Sequence, residues 1–326
     1  MTSGDRPEVS IIIPVHNGAD FIGDALAGLA EQLPDPGGLE VIVVDDHSTD
    51  ASAEIAATAG VPGGSLRVIA SAGYGVCAAR NAGLSQATGR LIGFLDADDW
   101  FAPGRLEVLR AALDRVGADF VRTDVVLVAE RQRSLLAAPE SRRGVRLPGR
   151  AGILPSTSRT MVDHPAMFAG LFHRRLLDEG LLRFDEDLPS AEDRELMWRL
   201  HLADTAYVVA DAPGAFYRRG LPRSLTQADD QRRLGYLTAL DSVRRGVASD
   251  PDQERLLAKL VQSLLALTVQ HLSQTRRRQV RHALITQAAR VLAAVPRPVV
   301  SAAVYQVDAQ RRAVLAPVLR RVGVRP

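Results

Sequence analysis

Three apolar stretches of the chain run directly into residues that can hold charge. Val9–Ile13 leads into Pro14-Val15-His16-Asn17, Val41–Val44 into Asp45-Asp46-His47-Ser48, and Leu91–Leu95 into Asp96-Ala97-Asp98-Asp99. In a parallel sheet, ligands bind beyond the carboxyl ends of the strands, so the residues just past each strand are a physical test for a site. By that test five carboxylates, Asp45, Asp46, Asp96, Asp98 and Asp99, fall on one edge. Like charges repel there unless something cationic neutralises them. A divalent metal with oxygen ligands meets the need, and Mg²⁺ or Mn²⁺ suits carboxylates best. Such an ion, held by one or two carboxylates, completes its shell with substrate phosphates. The plainer alternative is that Asp45 and Asp99 cap the helices next in the chain.

Two further stretches carry candidate chemistry. Gly73-Tyr74-Gly75-Val76-Cys77-Ala78 comes after a strand, opens a helix and precedes an acid, Asp96, at the end of the next strand. That order matches a dinucleotide-binding fingerprint and makes a nicotinamide oxidoreductase the rival reading. Against it, the unit sits at the third strand, its acid is joined at once by Asp98 and Asp99, and Arg80-Asn81 suggests a cation directed at a phosphate. Farther on, Ser190-Ala191-Glu192-Asp193 reads as a helix start, with Ser190 as N-cap and acids in the first turn. A carboxylate in that turn has its pKa pushed down, which weakens it as a base unless burial raises it again.

These residues need a scaffold, and the first half of the chain supplies one. Apolar runs at Val9–Ile13, Val41–Val44, Leu66–Ala70, Leu91–Leu95 and Phe120–Val128 predict buried strands. Between them, Phe21, Ile22, Ala25, Leu26, Leu29 and Ala30 recur at helical spacing, as do Leu106, Leu109, Ala112 and Leu113 after Pro103. Strand–helix alternation argues for an α/β fold with a parallel sheet covered on both faces. From Arg131 to Pro165 the periodicity dissolves, and acceptor choice is expected to reside in residues 131–175. Strand-like pieces come next at Ala206–Ala210 and Ala215–Arg218. After Gln227 the pattern is helical throughout, with one start predicted at Asp250-Pro251 and leucines 256, 257, 260, 264 and 265 lining a face.

Composition bounds the class. The chain has 326 residues, 46% hydrophobic and 24% charged, which excludes disordered, collagen-like and disulfide-scaffold proteins. Cys77 is the only cysteine, so no intrachain disulfide forms. A polar N-terminus without a signal-peptide core, and apolar runs too short to span a bilayer, predict a soluble, cytoplasmic protein. The net charge of +2 conceals an asymmetry: Ser273–Pro326 holds eleven arginines and one acid, Asp308. Val280, Ala283, Leu284, Ala288, Val291 and Leu292 form an apolar stripe beside Arg277, Arg281 and Arg290. That pattern fits internal packing, homo-oligomer contacts or peripheral contact with an anionic membrane at the inner face of the cell envelope. No aromatics interleave the basic residues, so nucleic acid is not an expected partner.

Taken together, Val9–Asn17, the Val-Ile-Val-Val-Asp-Asp-His-Ser-Thr-Asp run at 41–50, Ala79-Arg80-Asn81-Ala82-Gly83, Phe94–Asp99 and Glu192-Asp193 resemble family-2 glycosyltransferases in order and spacing across residues 7–226. The resemblance implies a GT-A fold, a mostly parallel nucleotide-binding sheet flanked by helices over 1–226, with a helical Arg-rich region over 227–326. It implies a hexosyltransferase that moves a sugar, with inversion, from a nucleotide-diphosphate donor to a hydroxyl acceptor. A UDP-sugar donor, a glycan or lipid-linked acceptor and cell-surface polysaccharide assembly are the expected setting. Pro14 and Val15 would line the nucleobase pocket, with His16 where relatives commonly carry Tyr, and Asp46 would bond the base. Asp96 and Asp98 match the Asp-x-Asp motif, Asp96 facing the ribose and Asp98 the metal, with Asp99 a second ligand. Asp193 matches the general base. Arg218 or Arg219 of Tyr217-Arg218-Arg219-Gly220 would bind the diphosphate, since the His that ligates metal in some relatives is absent. A degenerate binding protein without turnover is a further alternative.

Overall fold

A computed structural model describes residues 6–30, 32–35, 38–212, 214–220 and 232–325. The chain forms two compact units, one comprising Met1–Gly149, Ala166–Glu186 and Asp204–Pro222, the other Arg150–Pro165, Asp187–Ala203 and Arg223–Pro326. The boundary expected at 226/227 lies outside the described residues.

The first unit is built on a sheet. β1 (Val9–Val15), β2 (Leu39–Asp45), β3 (Gly64–Ala70) and β4 (Leu91–Phe94) pair in parallel in the order β3-β2-β1-β4. Every residue of β1 is buried, as a central strand covered on both faces requires. Its alternation divides the packing: Val9, Ile11, Ile13 and Val15 join a core with residues of α1 (Ile22–Ala27) and α4 (Arg105–Val116). Ile12 points the other way, toward α3 (Val76–Gln86), where a Cβ on Gly83 would stand 2.4 Å from the Ile12 side chain. That helix can approach β1 only with glycine there. β3 alternates exposure because it is the edge strand, so its apolar run is only half-buried. α2 (Ser52–Ala59) connects β2 to β3.

Two features differ from the periodicity. The run Phe120–Val128 is two strands, β6 (Phe120–Arg122) in the large sheet and β7 (Val125–Ala129) in a second one. The break falls at Thr123, whose N–H donates to the Ala169 carbonyl and whose hydroxyl accepts from buried Arg105. β10 (Gly170–His173), too short for a period to register, inserts antiparallel between β4 and β6. β11 (Ala206–Val209) and β9 (Leu147–Pro148) complete the eight-stranded sheet. The second sheet has four strands in the order β5 (Trp100–Phe101), β12 (Ala215–Arg218), β7 and β8 (Gln132–Leu136). β8 and β9 thus order part of the segment that carried no period. α5 (Arg175–Asp178) comes after β10.

The second unit is helical: α6 (Glu192–Leu202), α7 (Gly235–Gly246), α8 (Gln253–Gln274), α9 (Arg278–Ala293), α10 (Arg297–Tyr305) and α11 (Ala309–Arg321). Two expected starts are displaced. Ala191, at φ +61°, occupies the N-cap position of α6, and the Ser190 hydroxyl donates instead to the Arg232 carbonyl. α8 begins at Gln253 because the Asp250 carboxylate is engaged by Arg150 at 2.6 Å and by the Asp252 N–H. The 22 residues of α8 are long and apolar enough to cross a membrane, yet 56% of its most apolar 18-residue window is buried. Leu256, Leu260 and Leu264 lie in its core, and so do Val280, Leu284, Ala288, Val291 and Leu292 of the α9 stripe. The apolar stripe is therefore packed inward, and the arginines are turned outward by the helical unit: Arg276, Arg277, Arg278 and Arg290 are exposed.

Candidate active site

β2, β1 and β4 are parallel neighbours, so their carboxyl ends share one edge of the first unit. Hydrogen bonds stitch the loops there together. His16 Nδ1 lies 2.6 Å from the Asp46 carbonyl oxygen, and the Asn17 side-chain oxygen accepts the Thr49 N–H at 2.7 Å. Asn17 and His47 adopt φ of +53° and +58°, which short polar side chains tolerate better than most. Pro14 and Val15 are the last residues of β1 and are buried, behind exposed His16.

The opening of α3 closes on Asp46. Both Asp46 carboxylate oxygens accept the Gly75 N–H at 3.0 Å, with Gly75 at φ +89°, a conformation that favours glycine. The His47 ring stacks on Tyr74 at 4.1 Å. On the same helix Arg80 is buried, pairs with Asp96 at 2.8 Å and lies over the Phe184 ring. Asn81 fixes that ring by accepting the Phe184 N–H and donating to its carbonyl.

Asp96, Asp98 and Asp99 form the acidic centre. The Asp99 N–H closes a turn onto the Asp96 carbonyl. Asp99 is fully buried; its Oδ1 accepts the Arg218 N–H at 2.8 Å, and its Oδ2 has no hydrogen-bond partner among the described residues. Burial, with Asp96 and Asp98 beside it, pushes the Asp99 carboxyl up to about 9. Burial and Asp96 push Asp98 up to about 6, with Arg218 pulling the other way. Arg218 donates through Nε to the Asp98 carbonyl at 2.9 Å and pairs with Asp24 at 3.0 Å, its guanidinium lying over the rings of Phe21 and Trp100. Sequence reasoning missed Phe21, Trp100 and Asp24 at this centre; the only signal was an aromatic directly after Asp99.

Among the described residues no three His, Cys, Asp or Glu side chains form a metal cage by themselves. The residues nonetheless fit a divalent ion that takes part of its shell from a bound phosphate. The Asp99 Oδ2 is buried without a partner, and its acidic neighbours leave the turn short of positive charge. The structure thus gathers Asp46, Arg80, Asp96, Asp98, Asp99 and Arg218 in the sheet unit, with Pro14, Val15 and His16 at the end of β1. Asp193 lies in the helical unit, in the first turn of α6, where its carboxylate accepts the Arg194 N–H at 2.7 Å.

The description Glycosyl transferase family 2 fits the sequence over residues 10–172, half of the chain. The chain belongs to this family. It is 33% identical over 235 residues to the succinoglycan biosynthesis protein ExoU of Rhizobium meliloti, covering 66% of this chain and 63% of ExoU. The chain therefore spans less than two thirds of the length of that relative. TarS 1–349 of S. aureus, solved in complex with UDP-GlcNAc, has the same fold at a TM-score of 0.71 and 19% identity, covering 97% of this chain and 89% of TarS. The mannosyltransferase PcManGT of Pyrobaculum calidifontis, solved with GDP-Man and Mn²⁺, matches at a TM-score of 0.52 and 19% identity over 97% of this chain and 85% of its own. The α/β sheet with its C-terminal helices is accordingly of the GT-A type. Family membership does not favour the nicotinamide reading of the Gly73–Gly75 turn, and the Gly75 N–H of that turn is taken by Asp46.

Proposed function

We propose that the protein is an inverting glycosyltransferase that moves a sugar from a nucleotide-diphosphate donor, a UDP-sugar, to a hydroxyl acceptor during polysaccharide assembly. The observation that carries this is the Asp96–Asp98–Asp99 turn after β4, with Asp46 after β2 on the same strand edge, in a family-2 chain. The names of its relatives support it: one takes part in succinoglycan biosynthesis, and one fold neighbour is solved with UDP-GlcNAc.

In this reading Pro14 and Val15 flank the nucleobase, His16 adjoins it and Asp46 accepts a hydrogen bond from it. Asp96 accepts from the ribose, held in place by Arg80. Asp98 and Asp99 hold Mg²⁺ or Mn²⁺, which when bound neutralises the departing diphosphate. Asp193 accepts the proton of the acceptor hydroxyl as that oxygen displaces the diphosphate at the anomeric carbon. The protein works at the cytoplasmic face of the membrane on a glycan or lipid-linked acceptor, and its exposed helical arginines lie against anionic lipid or a second copy of the chain. Residues 1–226 carry transfer and 227–326 these contacts.

Thermal melting against UDP-, GDP- and dTDP-sugars with Mn²⁺, and against NAD, identifies the donor class. A UDP-sugar is expected to raise Tm; stabilisation by NAD alone would overturn the reading. Asp193→Asn is expected to abolish transfer with donor binding intact, and full retained transfer would remove Asp193 from the role of base. Asp98→Asn is expected to lose Mn²⁺-dependent donor binding, measured by calorimetry. Donor binding without transfer or donor hydrolysis by the unmodified chain would instead make it a binding protein.

A further inference from the structure

Away from the acidic centre, the four-stranded sheet of the first unit carries a groove of about 460 Å³. Leu127 and Ala129 of β7, Gln132, Arg133 and Ser134 of β8, and Arg219 just after β12 line it. Its lining holds two guanidinium groups and no carboxylate. Neither Arg133 nor Arg219 has an ion-pair partner among the described residues, whereas next to them Arg218 pairs with Asp24. Two exposed guanidinium groups lining one groove without a facing carboxylate favour an anion there.

The groove is built from ordered parts. The Arg133 guanidinium lies over the Phe216 ring at 5.4 Å, and Phe216 stacks on Trp100 at 5.1 Å with the planes 12° apart. Trp100 is in turn covered by Arg218. Arg133 is therefore the outer member of a cation–aromatic column that reaches the Asp98–Asp99 turn. The Arg219 N–H donates to the Val128 carbonyl at 2.7 Å, continuing the β12–β7 ladder and fixing the backbone from which its side chain leaves. Tyr217 of β12 packs on Phe168, and burial, Asp99 and Asp96 push its phenol up, with Arg219 acting in the opposite direction.

We propose that this groove binds an anionic group of the acceptor, a phosphate ester or a carboxylate on a unit about the size of one sugar ring. Arg133 and Arg219 pair with its charge, and Gln132 and Ser134 offer hydrogen bonds to its neutral oxygens. The proposal rests on the glycosyltransferase reading and adds the substrate class. The groove lining includes none of Asp46, Asp96, Asp98, Asp99 or Arg218, the residues assigned to the donor and its metal, which favours the acceptor as the source of the anion.

The test is calorimetric titration of the full chain with glycerol 3-phosphate, with glycerol as the neutral control, in the presence and absence of saturating UDP and MnCl₂. Binding of the phosphate ester alone, unaffected by UDP, is expected. Arg133→Gln is expected to weaken it about tenfold, the scale of one lost charge-assisted hydrogen bond, with UDP affinity changed less than twofold. Absence of glycerol 3-phosphate binding, or an Arg133→Gln affinity equal to that of the unmodified chain, overturns the proposal. Competition by UDP also overturns it, by assigning the anion to the donor's own site. If no nucleotide binds at all, the glycosyltransferase reading fails, and the titration without nucleotide still decides whether Arg133 binds an anion.

Discussion

Arg218 meets four groups at once: the Asp98 carbonyl, the Asp24 carboxylate and the rings of Phe21 and Trp100, while its own N–H donates to Asp99. The sequence places it where a diphosphate contact is expected, but its Nε faces the acidic turn and one terminal nitrogen is paired with Asp24. Its first effect is to hold that turn and to offset its charge. Arg218→Ala is therefore expected to cost about 2 kcal/mol of stability, from a charge-assisted bond and two ring contacts. Without the guanidinium, the carboxylates that would hold a metal lose their brace, and Mn²⁺-dependent donor affinity is expected to drop roughly tenfold. Arg218→Lys keeps the charge but not the planar stacking and should recover only part of both losses. Urea unfolding and calorimetry with MnCl₂ read the two effects separately; unchanged metal-dependent affinity in Arg218→Ala would leave Arg218 a purely structural residue.

At the scale of elements, the strands that carry the site were readable because a buried parallel strand must be apolar throughout, and its polar residues then accumulate at its end. β1, β2 and β4 announce themselves in this way, and so do Asp46, Asp96 and Asp98. The unreadable parts were set by contacts distant in sequence. Nothing local marks the break at Thr123, which comes from the Ala169 carbonyl and Arg105, nor the shift of the α6 cap from Ser190 to Ala191, which comes from Arg232. The single lysine is another such case. Lys259 of α8 is fully buried, and its ammonium donates to the Ser158 carbonyl, Gln262 and Asp163. Although burial works to raise the Asp163 carboxyl, Lys259, Ser263 and the Thr160 N–H hold it below the usual range. This network pins the segment containing Thr160 and Asp163 to α8. Lys259→Met leaves Asp163 its Ser263 and Thr160 hydrogen bonds but removes its ion-pair partner from a largely buried site, and is expected to cost about 3 kcal/mol. Adding Asp163→Leu should return a large share of that loss in urea unfolding. A double variant no more stable than Lys259→Met would show that the lysine acts through packing alone.

At the scale of the whole molecule, the net charge of +2 is a sum of opposites, and each unit holds a partly buried group whose titration acts in the opposite sense to the other's. In the sheet unit, burial holds the Asp98 carboxyl near 6, above its unfolded value of 3.8. The folded state then binds the extra proton, so the stability from this group is complete below 3.8 and is lost as pH rises through 6. In the helical unit, His271 stacks on Tyr236 at 4.7 Å, and burial, with Arg233 and Arg194 nearby, pushes its pKa down to about 4. Here the unfolded chain takes up the proton first, near 6.5, so stability is lost as pH falls from 6.5 toward 4. Since the ring is partly exposed, the loss is about 1–2 kcal/mol after allowance for solvent screening. In the sheet unit Asp99, pushed up to about 9, adds to the Asp98 effect, and His173, lowered by burial with Arg90 and Arg175, opposes it in part. Carboxylates held low, such as Asp163 and Asp250, act only below about 4 and stay outside this window. Calorimetric scans in EDTA at pH 7.5 and 5.0 are therefore expected to shift the sheet-unit transition up and the helical-unit transition down. His271→Phe keeps the ring stacking and removes the titration. In that variant the acid shift of the helical transition should shrink by about 1–2 kcal/mol while the sheet transition still moves, and a helical transition that keeps its whole acid shift would assign the effect to another group.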